Sequence, residues 1–191
     1  AEDLGPQSYH YLESKGINLW DMEQNSSRWD VFRLNNFSHN TLTVDGQKQN
    51  VLGKAEIISH SGNAKNSHTI IDMTPVYKGQ LSSSLRGVRS LDRSVLIQDE
   101  FTTFNDSEVQ WSMLTRAEVK KINDQKVLLK IDDKKMILEI LGQSQVRVEV
   151  SDTRKYLKSH DQPNNGISKI TFSLKCKKGN PEKMIVWLRP D

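Results

Sequence analysis

Cysteine is almost absent: Cys176 stands alone among 191 residues. Without a partner it excludes an internal disulfide and any zinc cluster built on cysteines. No apolar run approaches the ~18 residues needed to cross a bilayer, so no membrane partner is expected. The first twenty residues also lack the basic start and apolar stretch of a signal peptide. Charge of one sign is scarce too. The 27 Lys and Arg against 24 Asp and Glu leave a net +3, a mild bias toward anionic partners rather than a nucleic-acid footprint. No stretch of helical length keeps a clear apolar face, and no internal repeat or low-complexity tract is visible. The chain has no His-Glu-x-x-His, Walker loop, dinucleotide fingerprint or Gly-x-Ser-x-Gly elbow, which removes the commonest metalloprotease, nucleotide-binding and esterase readings.

What is present is strand signal. Thr41-Leu42-Thr43-Val44 alternates, and Asp45-Gly46 after it is the turn pair a tight hairpin favours. Val109, Trp111, Met113 and Thr115 interleave with Gln110, Ser112 and Leu114 close to period two. Short runs recur at residues 55–59, 69–73, 88–91, 95–97, 127–131, 136–140, 146–150, 170–174 and 184–188. Turn formers separate them, including Asn123-Asp124, Asp132-Asp133 and Pro163-Asn164-Asn165-Gly166. About a dozen short strands at this spacing predict an all-β, antiparallel, supersandwich-like β-sandwich over residues 39–191. Residues 1–38 differ. They carry Tyr9, Tyr11, Trp20, Trp29, Phe32 and Phe37 with weak periodicity, and read as an irregular aromatic arm packed on the sandwich.

Few residues announce chemistry. His60 and His68 flank what reads as a hairpin loop, Ser61 to Asn66, while His10 lies in the arm and His160 in a polar loop. Gln98-Asp99-Glu100 reads as a solvated strand end, where neighbouring carboxylates point to opposite faces and cannot share one bond. Lys120-Lys121, Lys134-Lys135 and Lys175 to Lys178 sit among acids, as mixed-sign turns do.

Asp3-Leu4-Gly5, then Ser38-His39-Asn40-Thr41-Leu42-Thr43-Val44-Asp45-Gly46-Gln47, then Asp72-Met73-Thr74-Pro75-Val76-Tyr77 form a series. Arg89 through Arg93 to Glu100 and Trp111-Ser112-Met113-Leu114-Thr115 continue it. The order and spacing over residues 1–116 resemble the C-terminal β-sandwich domain of heparinase II/III-like polysaccharide lyases. From Arg116 onward the strand rhythm alone supports the likeness.

The resemblance implies a two-part enzyme, an α/α toroid followed by the sandwich. Such an enzyme cleaves heparin, heparan sulfate or alginate by β-elimination, and is periplasmic or secreted. The catalytic Asn, His and Tyr would lie mostly on a toroid that this chain lacks, so no catalytic residue is assigned and the isolated segment is expected to be inactive. Its partners would be an acidic polysaccharide and the helical domain of the same polypeptide. The family's structural zinc site carries over only as Asp3 and His39, an incomplete set that would hold zinc weakly. For Asp3 by itself, a frayed terminus is the expectation. Substrate-facing Tyr and Arg of the family fall on Tyr9, Tyr11, Arg28 and Arg33; the competing expectation is that these only pack the arm onto the sheet. Two rival readings are a non-catalytic carbohydrate-binding or spacer module, with a sugar platform among Trp20, Trp29, Trp111 and Trp187, and a structural sandwich mediating assembly.

Overall fold

The computed structural model describes residues 1–63 and 67–191. Positions 64–66 of the loop expected between His60 and His68 lie outside the described residues. Twelve strands are found among the described residues: β1 (Leu42–Val44), β2 (Glu56–Ser61), β3 (His68–Asp72), β4 (Leu81–Leu91), β5 (Ser94–Thr103), β6 (Ser107–Thr115), β7 (Glu118–Asn123), β8 (Lys126–Ile131), β9 (Lys134–Leu141), β10 (Arg147–Asp152), β11 (Ser168–Cys176) and β12 (Pro181–Pro190). They form two antiparallel sheets. The smaller runs β1-β6-β11-β10 and the larger β2-β3-β4-β5-β12-β9-β8-β7.

The core lies between the sheets. Trp111 and Phe172, paired across β6 and β11 with ring centroids 6.1 Å apart, join Met113 and Ile170 from the small sheet. Phe101, Leu138, Met184 and Val186 meet them from the large sheet. Each such side chain contributes roughly 1.5–3 kcal/mol by leaving water. Cys176 is part of this core, and burial pushes its thiol up to about 12, which leaves it a packing residue rather than a nucleophile.

The small sheet is covered on its other side as well. Ser112, Leu114, Lys169 and Thr171 alternate with the core residues of β6 and β11, yet they too are buried. Residues 1–38 supply bonds to that face: Glu2 donates its amide to the Leu114 carbonyl at 2.8 Å, and Lys169 Nζ donates to the Phe37 carbonyl at 2.9 Å. Burial on both faces is why the outer positions in the middle of β6 and β11 hold Ser112, Leu114 and Thr171, small or apolar, alongside the one buried lysine, Lys169.

The arm has more local order than its periodicity suggests. A short helix, α1 (Tyr9–Ser14), is capped by the Ser8 side chain, and 3-10 turns follow at Ser27–Asp30, Phe32–Leu34 and Asn36–Ser38. Leu12, Ile17, Leu19 and Val31 close over one another as a satellite core. A six-residue helix presents under two turns, too short to show a 3.6-residue stripe.

Three further expectations are corrected. Asp45 and Gly46 do turn, with φ of 47° and 65°, but β1 then pairs with β6 rather than with the next strand, because the Asp45 carboxylate and amide bond Glu108. Gln98 to Glu100 is not a solvated end; it sits inside β5, with Asp99 only 1% exposed. Lys120-Lys121 is not a turn but part of β7, the edge strand of the large sheet, where lysines deter further strand pairing. Among the described residues, no helix is long and apolar enough to cross a membrane.

Candidate functional site

The arm returns to the sandwich through Asn35 to Thr41, and this junction forms the candidate site. Asn35 caps the last 3-10 turn by accepting the Phe37 amide at 3.0 Å. Asn36, buried, donates to Thr43 Oγ1 and the Gln47 carbonyl and accepts the Gln49 amide, each at 3.2 Å. It thereby fixes residues 47–50 against the arm. Below them the fully buried Tyr77 hydroxyl bonds the Leu42 carbonyl at 3.0 Å, Thr41 Oγ1 at 3.0 Å and Gln49 Nε2 at 2.8 Å. Burial raises the Tyr77 pKa, so the ring stays a neutral bracket.

A buried ion pair supports the same segment. Arg86 on β4 meets Asp99 on β5 through two bonds of 2.7 and 2.9 Å, and its remaining arm donates to the Asn40 carbonyl at 2.8 Å. Asn40 in turn accepts the Leu114 amide at 2.9 Å and donates to the Glu2 carbonyl at 3.2 Å. The chain of bonds runs from the large sheet to the N-terminal residues, either side of His39.

His39 Nδ1 lies 3.1 Å from Asp3 Oδ2. The frayed terminus expected for Asp3 is not found: Glu2 is bonded to Leu114 and Arg116, and the Gly5 amide bonds Asp3 at 3.0 Å. That Gly5 amide chiefly holds the Asp3 carboxyl below its ordinary value; burial opposes it, and the His39 ring adds smaller lowering contributions. Both side chains are substantially exposed, at 66% for Asp3 and 45% for His39. Among the described residues, no group of three His, Cys, Asp or Glu side chains is placed to hold a metal ion. Two donors bonded to each other fall short of the four-coordinate set that zinc takes, so no chemical step is assigned to a metal.

His39 lines a cleft of about 460 Å³ between the arm and the segments 48–55 and 73–76, which flank strands β2 and β3. Trp29, Leu34 and Asn35 form the arm wall; Lys48, Gln49 and Asn50 present polar groups from the other side; Met73 and Val76 close the floor. Gly53 belongs to this floor because a Cβ there would lie 2.5 Å from the Pro75 carbonyl oxygen and 2.6 Å from Val76 Cα. An apolar floor with a few converging amides, one imidazole and one ammonium suits a polar ligand that presents anionic groups.

The other arm residues singled out from the sequence are not gathered in the cleft. Arg33 donates to the Leu4 carbonyl and, at 2.6 Å, to Asn164 Oδ1, tying the arm to the loop before β11; burial lowers its pKa. Arg28 donates to the Leu19 carbonyl and lies 5.1 Å from the Trp29 ring centre. Tyr9 and Tyr11 are exposed on α1, Tyr9 edge-on to Trp20 at 6.0 Å and Tyr11 with Lys15 Nζ 5.4 Å from its ring centre. Of the four tryptophans, Trp111 is core and unavailable to any ligand. Trp187 lies under Arg189, Trp20 is 72% exposed, and Trp29 faces the cleft. The polar wall of Asn36, Lys48, Gln49 and Asn50 is new relative to the sequence reading. Its only sequence signal is the polar run Gln47 to Asn50 directly after the Asp45-Gly46 turn.

Comparison with known proteins adds the fold. No family model matches the chain, and no curated protein does. Among solved structures, heparan sulfate lyase HepC from Pedobacter heparinus aligns with a TM-score of 0.70 at 13% identity, over 91% of this chain and 27% of that one. A heparinase III gene product aligns with a TM-score of 0.68 at 14% identity, over 98% and 27% respectively. A mutant of the Pedobacter heparinus enzyme gives 0.64 at 15% identity, over 80% and 24%. The chain therefore spans about a quarter of the length of each of these structures. At such identities the likeness is one of fold: the chain is an antiparallel β-sandwich of the kind found within heparan sulfate lyases.

Proposed function

We propose that this chain is the β-sandwich domain of a larger, exported polysaccharide lyase, acting in the periplasm or outside the cell. The substrate class is a uronic-acid polysaccharide of the heparin or heparan sulfate type, with alginate as the other member of the class. The observation that carries the reading is the cleft at the arm junction, with His39 and Lys48 on its walls, in a chain whose fold recurs within heparan sulfate lyases.

β-Elimination requires the uronate carboxylate to be neutralised, the C5 proton removed and the departing glycosidic oxygen protonated. In this reading a helical domain of the same polypeptide supplies the base and the carboxylate-neutralising group. The cleft described above supplies one wall: Lys48, alongside its bond to Asp30, offers charge to the anionic sugar, Gln49 Oε1 offers an acceptor to a hydroxyl, Asn36 and Asn50 hold the backbone of that wall in place, and His39, exposed and held by Asp3, stands where it can exchange a proton. Asp3 and His39 would bind added zinc only weakly unless another segment completes the set.

The test is formation of unsaturated uronate, followed by ultraviolet absorbance, on heparan sulfate. The 191-residue chain alone should give none, and the longer protein encoded in the same reading frame should turn over. His39→Ala in that longer protein should lower the rate at least tenfold, about 1.4 kcal/mol of transition-state binding. Turnover by the isolated chain at ordinary enzyme rates, or a longer protein inert toward every uronan, would overturn the proposal. A carbohydrate-binding module is the second reading, favoured by the partly buried Trp29 that lines the cleft. It predicts saccharide binding without unsaturated product in the longer protein.

A further inference from the structure

The cleft does not end at Trp29. On the far side of Trp29, Asn35 and Lys48, which line both spaces, lies a second pocket of about 180 Å³. Its walls are aromatic: Trp29, Phe32, Phe37 and Tyr156. Phe32 and Tyr156 are stacked nearly parallel, with centroids 5.7 Å apart and planes at 3°. This pairing joins the arm to the 3-10 turn Thr153–Tyr156 that follows β10.

Cations surround this pocket. Lys48 and Lys158 lie on its rim and both bond Asp30 Oδ1, at 2.9 and 3.3 Å. Lys155 and Lys169 each hold Nζ 5.0 Å from the Tyr156 ring centre. Against these four stand three acids: Asp30, Glu149, bonded to Lys155 at 2.5 Å, and Asp161, which accepts the Phe32 and Lys158 amides at 2.8 Å. An ammonium has three donors, and Asp30 takes one from each of its two lysines, which leaves Lys48 and Lys158 able to bind a further anion. Phe32 is buried with its ring stacked on Tyr156, so the apolar walls left to the C–H face of a pyranose are those of Trp29 and Phe37, and rim ammonium groups match its carboxylate or sulfate.

We infer that this aromatic pocket is a second subsite, which takes a carboxylated or sulfated sugar unit adjacent to the one held at His39. Trp29 and Lys48 form the ridge shared by the two units. The inference rests on the proposed acidic-polysaccharide function and adds to it a place, a length requirement and a charge requirement. A disaccharide fills the first cleft alone; a tetrasaccharide reaches past Trp29 into the second pocket.

Calorimetric titration of the 191-residue chain with heparan sulfate di- and tetrasaccharides, and with neutral cellotetraose, tests this. The tetrasaccharide should bind more tightly than the disaccharide, and cellotetraose more weakly than either. Lys158→Gln, an exposed change outside the first cleft, should weaken the tetrasaccharide roughly three- to tenfold and leave the disaccharide unchanged. Tyr156→Leu should do the same; its melting temperature, measured alongside, separates lost binding from lost folding. Unchanged tetrasaccharide affinity in Lys158→Gln and in a folded Tyr156→Leu, while Trp29→Ala abolishes binding, would overturn the second subsite and leave the function intact. Equal binding of cellotetraose would overturn the charge requirement and with it the inference. Absence of binding by either acidic oligosaccharide to the unaltered chain would overturn the subsite together with the saccharide-binding role of the cleft.

Discussion

At the residue scale, the Arg86–Asp99 pair is the most consequential single contact. Asp99 is wholly enclosed, and its partner also holds the Asn40 carbonyl next to His39. Removing one member of such a pair leaves an uncompensated buried charge, so Asp99→Ala should lower unfolding free energy by about 3–5 kcal/mol in urea titration. Replacing both by apolar residues should cost much less. Lys169 supplies a pH test. Burial pushes its pKa down from 10.5 to about 8, so the folded state releases its proton before the unfolded state does. Below about 8 the group is charged in both states and its burial penalty is fully present. Between about 8 and 10.5 the unfolded chain binds more protons, and stability rises with pH. The stability of the unaltered protein relative to Lys169→Met should therefore increase from pH 7 to pH 10, by up to about 3 kcal/mol. A flat difference would show that the ammonium is better solvated than its position beneath Phe37 implies. Neither residue stands out in the sequence: Asp99 looks like one of two acids on a strand, and Lys169 like any strand lysine. Lys169 is buried under Phe37, 132 positions away in sequence, and Asp99 is enclosed inside β5 against Arg86 of the neighbouring strand; neither surrounding is encoded locally.

At the scale of elements, the arm is a covering layer as much as a site wall. Arg33 bonds the Leu4 carbonyl and Asn164, while Tyr9 and Tyr11 stand in water. Arg33→Ala should therefore lower stability by about 1–3 kcal/mol, the cost of stranding partly buried acceptors. Tyr9→Ala and Tyr11→Ala should change it by no more than about 0.5 kcal/mol, as exposed sites do. Thermal melts of the three variants separate these outcomes. Gly53→Ala is the corresponding test for the cleft floor. Its Cβ would collide with the Pro75–Val76 backbone, so a loss of about 1–3 kcal/mol is expected, with perturbation of Val76 and Asn50 amide resonances. Sequence periodicity made most strands legible because each has one core face, and Asp132-Asp133 turned as its composition predicts. It missed β7, whose exposed Lys-rich edge lacks alternation, and α1, which is too short to show a stripe. Asp45-Gly46 announced a hairpin, and a turn is there, but pairing with β6 is a long-range choice that no local signal encodes.

At the scale of the whole molecule, two layers of sheet and one of arm meet where a polar cleft and an aromatic pocket adjoin. His39 and Asp3 were legible as a pair from a family motif, and the fold brings them to 3.1 Å. The lysine and amide wall facing them was not, because Lys48, Gln49 and Asn50 become a wall only when Asn36 fixes their backbone from the arm. The central claim is that this junction receives an acidic saccharide. Amide shift mapping of the 191-residue chain with a heparan sulfate tetrasaccharide reads that claim directly. Saturable shifts are expected, concentrated at Asn35, Asn36, His39, Lys48 and Gln49 and absent with cellotetraose. Shifts scattered over the exposed lysines of β7 and β9, with the junction silent, would contradict it.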